Sequence, residues 1–131
     1  VSGLSSWTTS DESIASSISQ NSDLTDGSLD ALLNNAGAGY SMPLMDLDIA
    51  EARKPFDLNV FSLIRVTHAF FPLLVKSTLG EMVVNNTACS SAAFCRGSNA
   101  SKAAAASITE VLRLEFGPFC IEVINLMMGS V

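Results

Sequence analysis

Charged residues are scarce in this sequence: they make up 15% of its 131 residues, against about 25% in an average soluble domain. Long hydrophobic runs are also missing, since the longest, 69–75, contains Pro72 and stays far below the ~18 residues that a membrane-spanning helix needs. No basic residue precedes Arg53, and the seven in the chain are too few and too scattered to follow a phosphate backbone. We therefore expect neither a membrane span nor a nucleic-acid partner.

Cysteine is rare as well. Cys89, Cys95 and Cys120 form no Cys-x-x-Cys pair and lack the Cys/His spacing of a metal site. An odd number of cysteines is poor material for a disulfide framework, so we expect reduced thiols, a cytoplasmic protein and no bound metal. The N-terminus shows no initiator Met and no signal peptide. With 48% hydrophobic residues, residues 1–131 are expected to form one domain.

Three apolar runs predict buried strands, at residues 29–34, 81–86 and 121–126. Helical patterns with short connections separate them, and this alternation predicts an α/β fold with a parallel sheet and right-handed crossovers. Segment 36–43 follows the first strand and holds two Gly, one Tyr and one Pro, which predicts irregular backbone. Ligands of α/β sheets bind at this end of the strands, so the segment is a candidate ligand site.

The first helical pattern begins at the capping-box spacing of Thr9 and Glu12 and is expected to end at about Gln20. The stretch 19–28, rich in Ser, Asp and Gly, then predicts a polar loop.

Two consecutive helices are expected next. Asp46 or Asp48 can cap the first, and Pro55 suits the first turn of the second because its missing N–H has no partner there in any case. The second helix, 55–75, carries a broad apolar stripe at spacings of three and four, which consists of Phe56, Val60, Leu63, Ile64, Thr67, Phe70, Phe71 and Leu74.

The last long helix is expected to follow a loop at 87–97, to begin at Ser98 or Asn99 and to stop at 117–118, a Gly-Pro pair. Its expected inner face consists of Ala103, Ala104, Ser107, Ile108, Val111, Leu112 and Leu114.

Four segments carry a resemblance to a known family. They are Asn-Asn-Ala-Gly at 34–37, Phe-Asp-Leu-Asn-Val at 56–60, Ala-Ser-Lys-Ala-Ala at 100–104 and the helix-to-strand passage 115–123. In this order they resemble the short-chain dehydrogenase/reductase family, nearest to its acyl-dihydroxyacetone-phosphate reductase-like members. The resemblance implies a partial Rossmann-like three-layer sandwich, in which a short parallel sheet is flanked by helices.

The resemblance also implies hydride transfer between NAD or NADP and a carbonyl or alcohol. In the family a Tyr donates the proton, and a Lys one helical turn later lowers the pKa of that Tyr and binds the nicotinamide ribose; the spacing i, i+4 puts both on one helix face. Here Lys102 is present but position 98 is Ser, whose hydroxyl is far too weak an acid to replace a phenol. The catalytic candidates are Lys102, Asn59, which either positions a relay water or satisfies a helix kink, and Ser98. Impaired redox activity is expected.

Other candidates are more remote. Tyr40 is the only phenol, yet it follows the first strand rather than lying on the Lys helix. Cys89 and Cys95 have no adjacent base to activate them. His68 falls beside the apolar stripe and is expected to pack or to lie at an interface. The counterpart of the family's substrate-binding Ser is open among Thr87, Ser90 and Ser91.

No glycine-rich turn of the kind that holds a dinucleotide pyrophosphate occurs in the chain. By resemblance, residues 1–6 match the segment near the family's third strand, so we expect the first βαβ dinucleotide-binding unit to be missing. Asn35, Ala36 and Gly37 would line the adenosine side of NADP or NAD, or simply tie neighbouring strands together. Lys102 would bind the nicotinamide ribose.

Three functions remain open: part of an oxidoreductase, a cofactor-independent isomerase or lyase that reuses the cleft for a small-molecule ligand, and a non-catalytic dimeric scaffold. A homo-oligomer is expected, either through helices 55–75 and 99–116, with Phe70 and Val111 at the contact, or through the open edge of strand 29–34.

Overall fold

The computed structural model describes residues 10–39, 42–86 and 96–127, without the side chains of Leu44 and of 96–98. Its elements, in chain order, are α1 (Asp11–Thr25), β1 (Ala31–Asn34), a 3₁₀ turn (Leu44–Asp46), α2 (Ile49–Phe56), a π turn (Asp57–Phe61), α3 (Ser62–Leu74), β2 (Glu81–Asn85), α4 (Arg96–Phe116), a 3₁₀ turn (Gly117–Phe119) and β3 (Glu122–Leu126). Outside the described residues lie Thr9, Tyr40, Thr87, Cys89, Ser90, Ser91 and Cys95.

The three strands form one parallel sheet in the order β1-β2-β3. Leu32 pairs with Met82, which pairs with Val123, so a row of buried apolar residues crosses the sheet. Helix α3 packs against β1 and α4 packs against β3. This arrangement confirms the predicted α/β fold with a short parallel sheet flanked by helices.

Helix α3 supplies a large part of the core. Leu63, Phe70 and Leu74 of the predicted apolar stripe are buried, in one cluster with Met82 of the sheet. Phe70 is only 1% exposed, so the expectation that it lies at a subunit contact is wrong. The apolar stripe of α3 turns this ring inward, where it covers the sheet of its own chain.

Helix α1 continues to Thr25, so the loop predicted over 19–28 begins later than expected. Polar side chains in this stretch donate to carbonyls one turn earlier within the helix: Asn21 Nδ2 to Ser17 O at 2.7 Å and Thr25 Oγ1 to Asn21 O at 2.7 Å. Such residues usually favour turns over helix, which is why the sequence pattern predicts a loop here. Asp26, with φ of 54°, ends the helix in the left-handed region.

Helix starts agree with prediction in one case and differ in another. Asp48 caps α2, its Oδ1 accepting a backbone N–H two residues later at 2.9 Å. Helix α4 begins at Arg96, so the predicted caps Ser98 and Asn99 lie within its first turn. Gly97 disfavours this extra turn by only about 1 kcal/mol relative to alanine.

The buried face of α4 also differs from the predicted one. Val111 and Leu114, predicted to face inward, are 50% and 80% exposed. The buried residues of the helix, counted over its described side chains, are Ser101, Ala105, Thr109, Leu112 and Phe116. Two of these are polar and find partners inside; Thr109 Oγ1, for example, donates to Ala105 O at 2.7 Å. Leu112 and Ile108 of the predicted face do lie in or against the core, but hydrophobic spacing missed Ser101, Ala105 and Thr109.

A π turn joins α2 and α3 into one continuous helix. Pro55 lies inside α2, not in the first turn of the next helix as predicted, and offers no N–H to the preceding turn. In the π turn the Ser62 N–H donates to the Asp57 carbonyl five residues earlier. Such turns are rare and occur often at functional sites, and this one carries Asn59.

Strand β1 lies at an edge of the sheet, and Leu33 is 62% exposed there. The open edge expected for strand 29–34 is therefore present in the described sheet. Of the helices described, none combines the length and the apolar character that crossing a membrane requires.

Candidate active site

The candidate site lies where β1 and β2 end. Segment 35–39 leaves β1 without regular structure, as predicted, and two side chains from distant parts of the chain reach it. Asn59 comes from the π turn and Lys102 from the second turn of α4. Three residues predicted from the sequence, Gly37, Asn59 and Lys102, are thus brought together.

Asn59 holds this segment through its side-chain amide. Its Oδ1 accepts the Ala38 N–H at 2.9 Å, and its Nδ2 donates to the Ala38 carbonyl at 3.0 Å and to Ser101 Oγ at 2.8 Å. Asn59 is 5% exposed and Ser101 is fully buried. An amide carries both a donor and an acceptor, so Asn can pair with the N–H and the C=O of one residue at once. All three bonds reach outside the helix that carries Asn59, to segment 35–39 and to α4.

Lys102 is half-buried, and its amine lies against Gly37. A Cβ atom at Gly37 would be 2.9 Å from Lys102 Nζ and 3.4 Å from Asn59 Oδ1, so the glycine leaves the space that the amine fills. Lys102 Nζ donates to the Asn85 carbonyl at 3.4 Å. No ion pair involves Lys102, although the described residues include every Asp and Glu of the chain. Burial without a counter-charge lowers the pKa of Lys102.

The remaining predicted residues divide into three cases. Asn35 Oδ1 accepts from Asn85 Nδ2 at 2.7 Å. This bond ties the ends of β1 and β2 together, which was one of the two roles expected for segment 35–37. Ala36 is exposed beside it. Ser98 lies on α4 one turn before Lys102, but its side chain lies outside the described part of the structure.

Sequence reasoning missed a set of asparagines at the carboxyl ends of the strands, next to the candidate site. Asn34, Asn86 and Asn125 stand at or next to the ends of the three strands, and each has a buried side-chain amide atom with no hydrogen-bond partner among the described residues. Asn86 is only 2% exposed. Unpaired buried polar atoms are uncommon because each costs free energy. The recurrence of Asn at strand ends is the signal that could have revealed this set.

The arrangement can bind a polar, uncharged group. A lysine ammonium has three donors, and the Asn85 carbonyl accepts from only one of them. The asparagine side chains with unpaired amide atoms lie at the ends of the three strands. These features fit hydroxyl groups of a ribose, so the residues present are compatible with the nicotinamide side of NAD or NADP. Within residues 10–39, 42–86 and 96–127, no group of three His, Cys, Asp or Glu side chains could hold a metal ion.

A cavity lies away from these residues, between α3 and the end of α4. It measures about 370 Å³ and is lined by His68, Phe71, Leu112, Glu115, Phe116 and Phe119. The Phe71 ring stacks at 4.9 Å from that of Phe116 and meets Phe119 edge-on at 5.1 Å. His68, which was expected to pack or to lie at an interface, is exposed and lines this cavity.

Comparison with known proteins gives consistent results. The family model "short chain dehydrogenase" matches residues 7–131. The chain is 42% identical over 110 residues to the short-chain dehydrogenase anuB of Penicillium roqueforti (strain FM164), covering 84% of this chain and 38% of that protein. It is 41% identical over 109 residues to the NADPH-dependent 1-acyldihydroxyacetone phosphate reductase of Schizosaccharomyces pombe, covering 82% and 36%.

A solved structure shows the same likeness. A short-chain dehydrogenase from Burkholderia cenocepacia J2315, in complex with NADP, superposes with a TM-score of 0.80 at 26% identity, covering 98% of this chain and 55% of that one. The chain therefore spans about half of this solved chain and less than half of the two curated relatives.

Proposed function

Because the chain belongs to the short-chain dehydrogenase family, whose fold it forms in part, we propose that it provides the nicotinamide-ribose side of an NAD(P)-dependent oxidoreductase site and that redox catalysis is impaired in it. NADP or NAD, when bound, supplies or accepts the hydride. The substrate is a small carbonyl or alcohol compound.

The position of the Lys102 amine beside Gly37, at a point that Asn59 Oδ1 also borders, carries the proposal, together with the serine one turn before the lysine. Lys102 has donors to spare for ribose hydroxyls. Asn59 fixes the backbone of Ala38 and so keeps segment 35–39 against the amine. Position 98, where the family has its proton-donating Tyr, is Ser, and a serine hydroxyl cannot deliver a proton at neutral pH as a phenol can.

Nicotinamide mononucleotide tests the ribose side on its own, because it lacks the pyrophosphate and the adenosine. We expect saturation-transfer NMR to detect its contact with the chain and Lys102→Met to abolish that contact. Lys76→Met, at an exposed lysine, is the matched control and should change nothing. NADPH and NADH should bind no tighter than about 1 mM by calorimetric titration, since the sequence contains no glycine-rich turn for the pyrophosphate.

Two results would contradict this prediction. Mononucleotide signals that are equal in the native chain and in Lys102→Met would remove the lysine from the site. A micromolar dissociation constant for NADPH or NADH would mean that the pyrophosphate is recognised by other residues.

Restoring the phenol alone is not expected to restore reduction. Ser98→Tyr supplies the missing acid, but general acid catalysis contributes only about 10²- to 10⁴-fold, which is of little use without a firmly held hydride donor. Nucleotide oxidation with small aldehydes should stay at background in both the native chain and the variant. Clear turnover by Ser98→Tyr would show that the cofactor is held well and that Ser98 is the sole defect.

We further propose that the chain self-associates through α3 and α4. Val111 and Leu114 lie three residues apart on one exposed face of α4, and Phe119, 48% exposed, adjoins the aromatic cavity. Exposed apolar surface of this kind typically marks an interface. The open edge of β1 is the other route.

A further inference from the structure

The three lysines of the chain have different surroundings. Lys54 is exposed and forms an ion pair with Glu51 at 2.7 Å, and Lys76 is exposed. Lys102 is half-buried, pairs with no carboxylate, and donates only a long hydrogen bond of 3.4 Å to the Asn85 carbonyl. Lys102 is thus the lysine whose charged form is stabilised least by its surroundings.

Within the described part of the chain, the groups placed near the Lys102 amine are neutral. Gly37 leaves the space for it, and the side-chain oxygen of Asn59 borders the same space. All 13 acidic side chains lie within the described residues, and none is an ion-pair partner of Lys102. A neutral environment with partial burial favours the uncharged amine, which is the nucleophilic form of lysine. The lowered pKa of Lys102 agrees with this geometry.

We propose that Lys102 is a covalent capture site for small aldehydes and ketones. The Nζ atom attacks the carbonyl carbon and forms a C–N bond. The carbonyl oxygen then leaves as water, taking both amine protons, and an imine remains; no oxidant or reductant is required. This reactivity is separate from the ribose-binding role proposed above, because it needs the amine without its proton and no nucleotide.

Reductive alkylation with propanal and sodium cyanoborohydride at pH 7 measures this reactivity directly. The reducing agent traps each imine as a stable secondary amine, and peptide mass spectrometry gives the initial rate at Lys54, Lys76 and Lys102 in the same sample. We expect Lys102 to react at least about tenfold faster than either exposed lysine, because a larger fraction of it is uncharged at this pH. In urea, where the burial is lost, the three rates should become similar.

Two glycine variants test whether the fold causes the preference. Gly37→Ala places a methyl group 2.9 Å from Nζ and pushes the amine towards solvent, so most of the preference for Lys102 should disappear. Gly117→Ala is the matched control, because a Cβ there meets nothing within 4 Å, and it should leave the preference intact. Circular dichroism checks that both variants are folded.

Several outcomes would overturn the proposal. Equal rates at the three lysines of the native chain would show that Lys102 has no special reactivity. A preference that persists in urea, or one that is unchanged in a folded Gly37→Ala variant, would show that the Gly37 contact is not its origin. Because no nucleotide is present in these reactions, their result is independent of the mononucleotide experiment.

Discussion

Asn59→Ala is expected to lower the free energy of unfolding by about 3 kcal/mol, at roughly 1 kcal/mol for each hydrogen bond of its buried amide. The substitution leaves the N–H and the carbonyl of Ala38 and the hydroxyl of Ser101 without this partner. A loss of this size is a large part of the free energy of unfolding of an average domain, which is about 5–15 kcal/mol. Urea unfolding followed by circular dichroism measures it.

Variants of neighbouring residues separate the contributions. Ser101→Ala removes one of the three bonds and should cost about 1 kcal/mol. Asn59→Asp keeps the acceptor for the Ala38 N–H but has no donor when ionised, so it should also destabilise the fold. Ser107 lies on the exposed side of α4, the helix that also carries Ser101. Ser107→Ala is the control and should change the free energy of unfolding by no more than about 0.5 kcal/mol. If Asn59→Ala costs no more than Ser107→Ala, the amide does not anchor segment 35–39.

The native chain is expected to have at least twice its monomer mass of 13.8 kDa in light scattering at micromolar concentration. Burial of about 800 Å² per partner is ordinary for a specific dimer. Val111→Asp combined with Leu114→Asp should convert it to a monomer, because both side chains are exposed and their replacement puts carboxylates into the apolar contact. Since Phe70 is buried, Phe70→Asp should unfold the chain rather than dissociate it.

Two further variants distinguish the routes of association. Leu79→Asp changes an equally exposed apolar residue outside α4 and is expected to leave the mass unchanged. Leu33→Asp alters the open edge strand β1, and dissociation by this variant alone would assign the contact to the sheet edge. A native chain that remains a monomer across micromolar concentrations would exclude both routes.

The strands could be predicted from the sequence because short runs of Leu, Val, Ile and Met bounded by polar residues have few other places in a fold. The polar residues in the buried face of α4 could not. Ser101 and Thr109 are buried because one accepts a bond from Asn59 and the other donates within its own helix, and neither bond is visible in a hydrophobic pattern. The alanines around them are small enough to suit either side of a helix.

Part of the candidate site was accessible from the family resemblance, which indicated Asn59 and Lys102. The contact of both residues with Gly37 was not, because the three positions are far apart in the chain and meet only through the tertiary fold. Burial of Asn86 was also missed, since asparagine at a strand end normally suggests a turn. A residue type can thus indicate a candidate, but its environment determines what chemistry it performs.

The π turn has a geometric consequence for the long helix that contains it. Each residue of an α-helix turns the chain by about 100°, so one additional residue in the turn Asp57–Phe61 changes the angular phase of everything that follows by about that amount. The helix therefore has two phases, one over α2 and one over α3. Phe70 and Leu74 point to the sheet only in the second phase, and the same offset turns Asn59 towards Ala38 and Ser101. Core packing and site geometry are in this way coupled through a single turn of backbone.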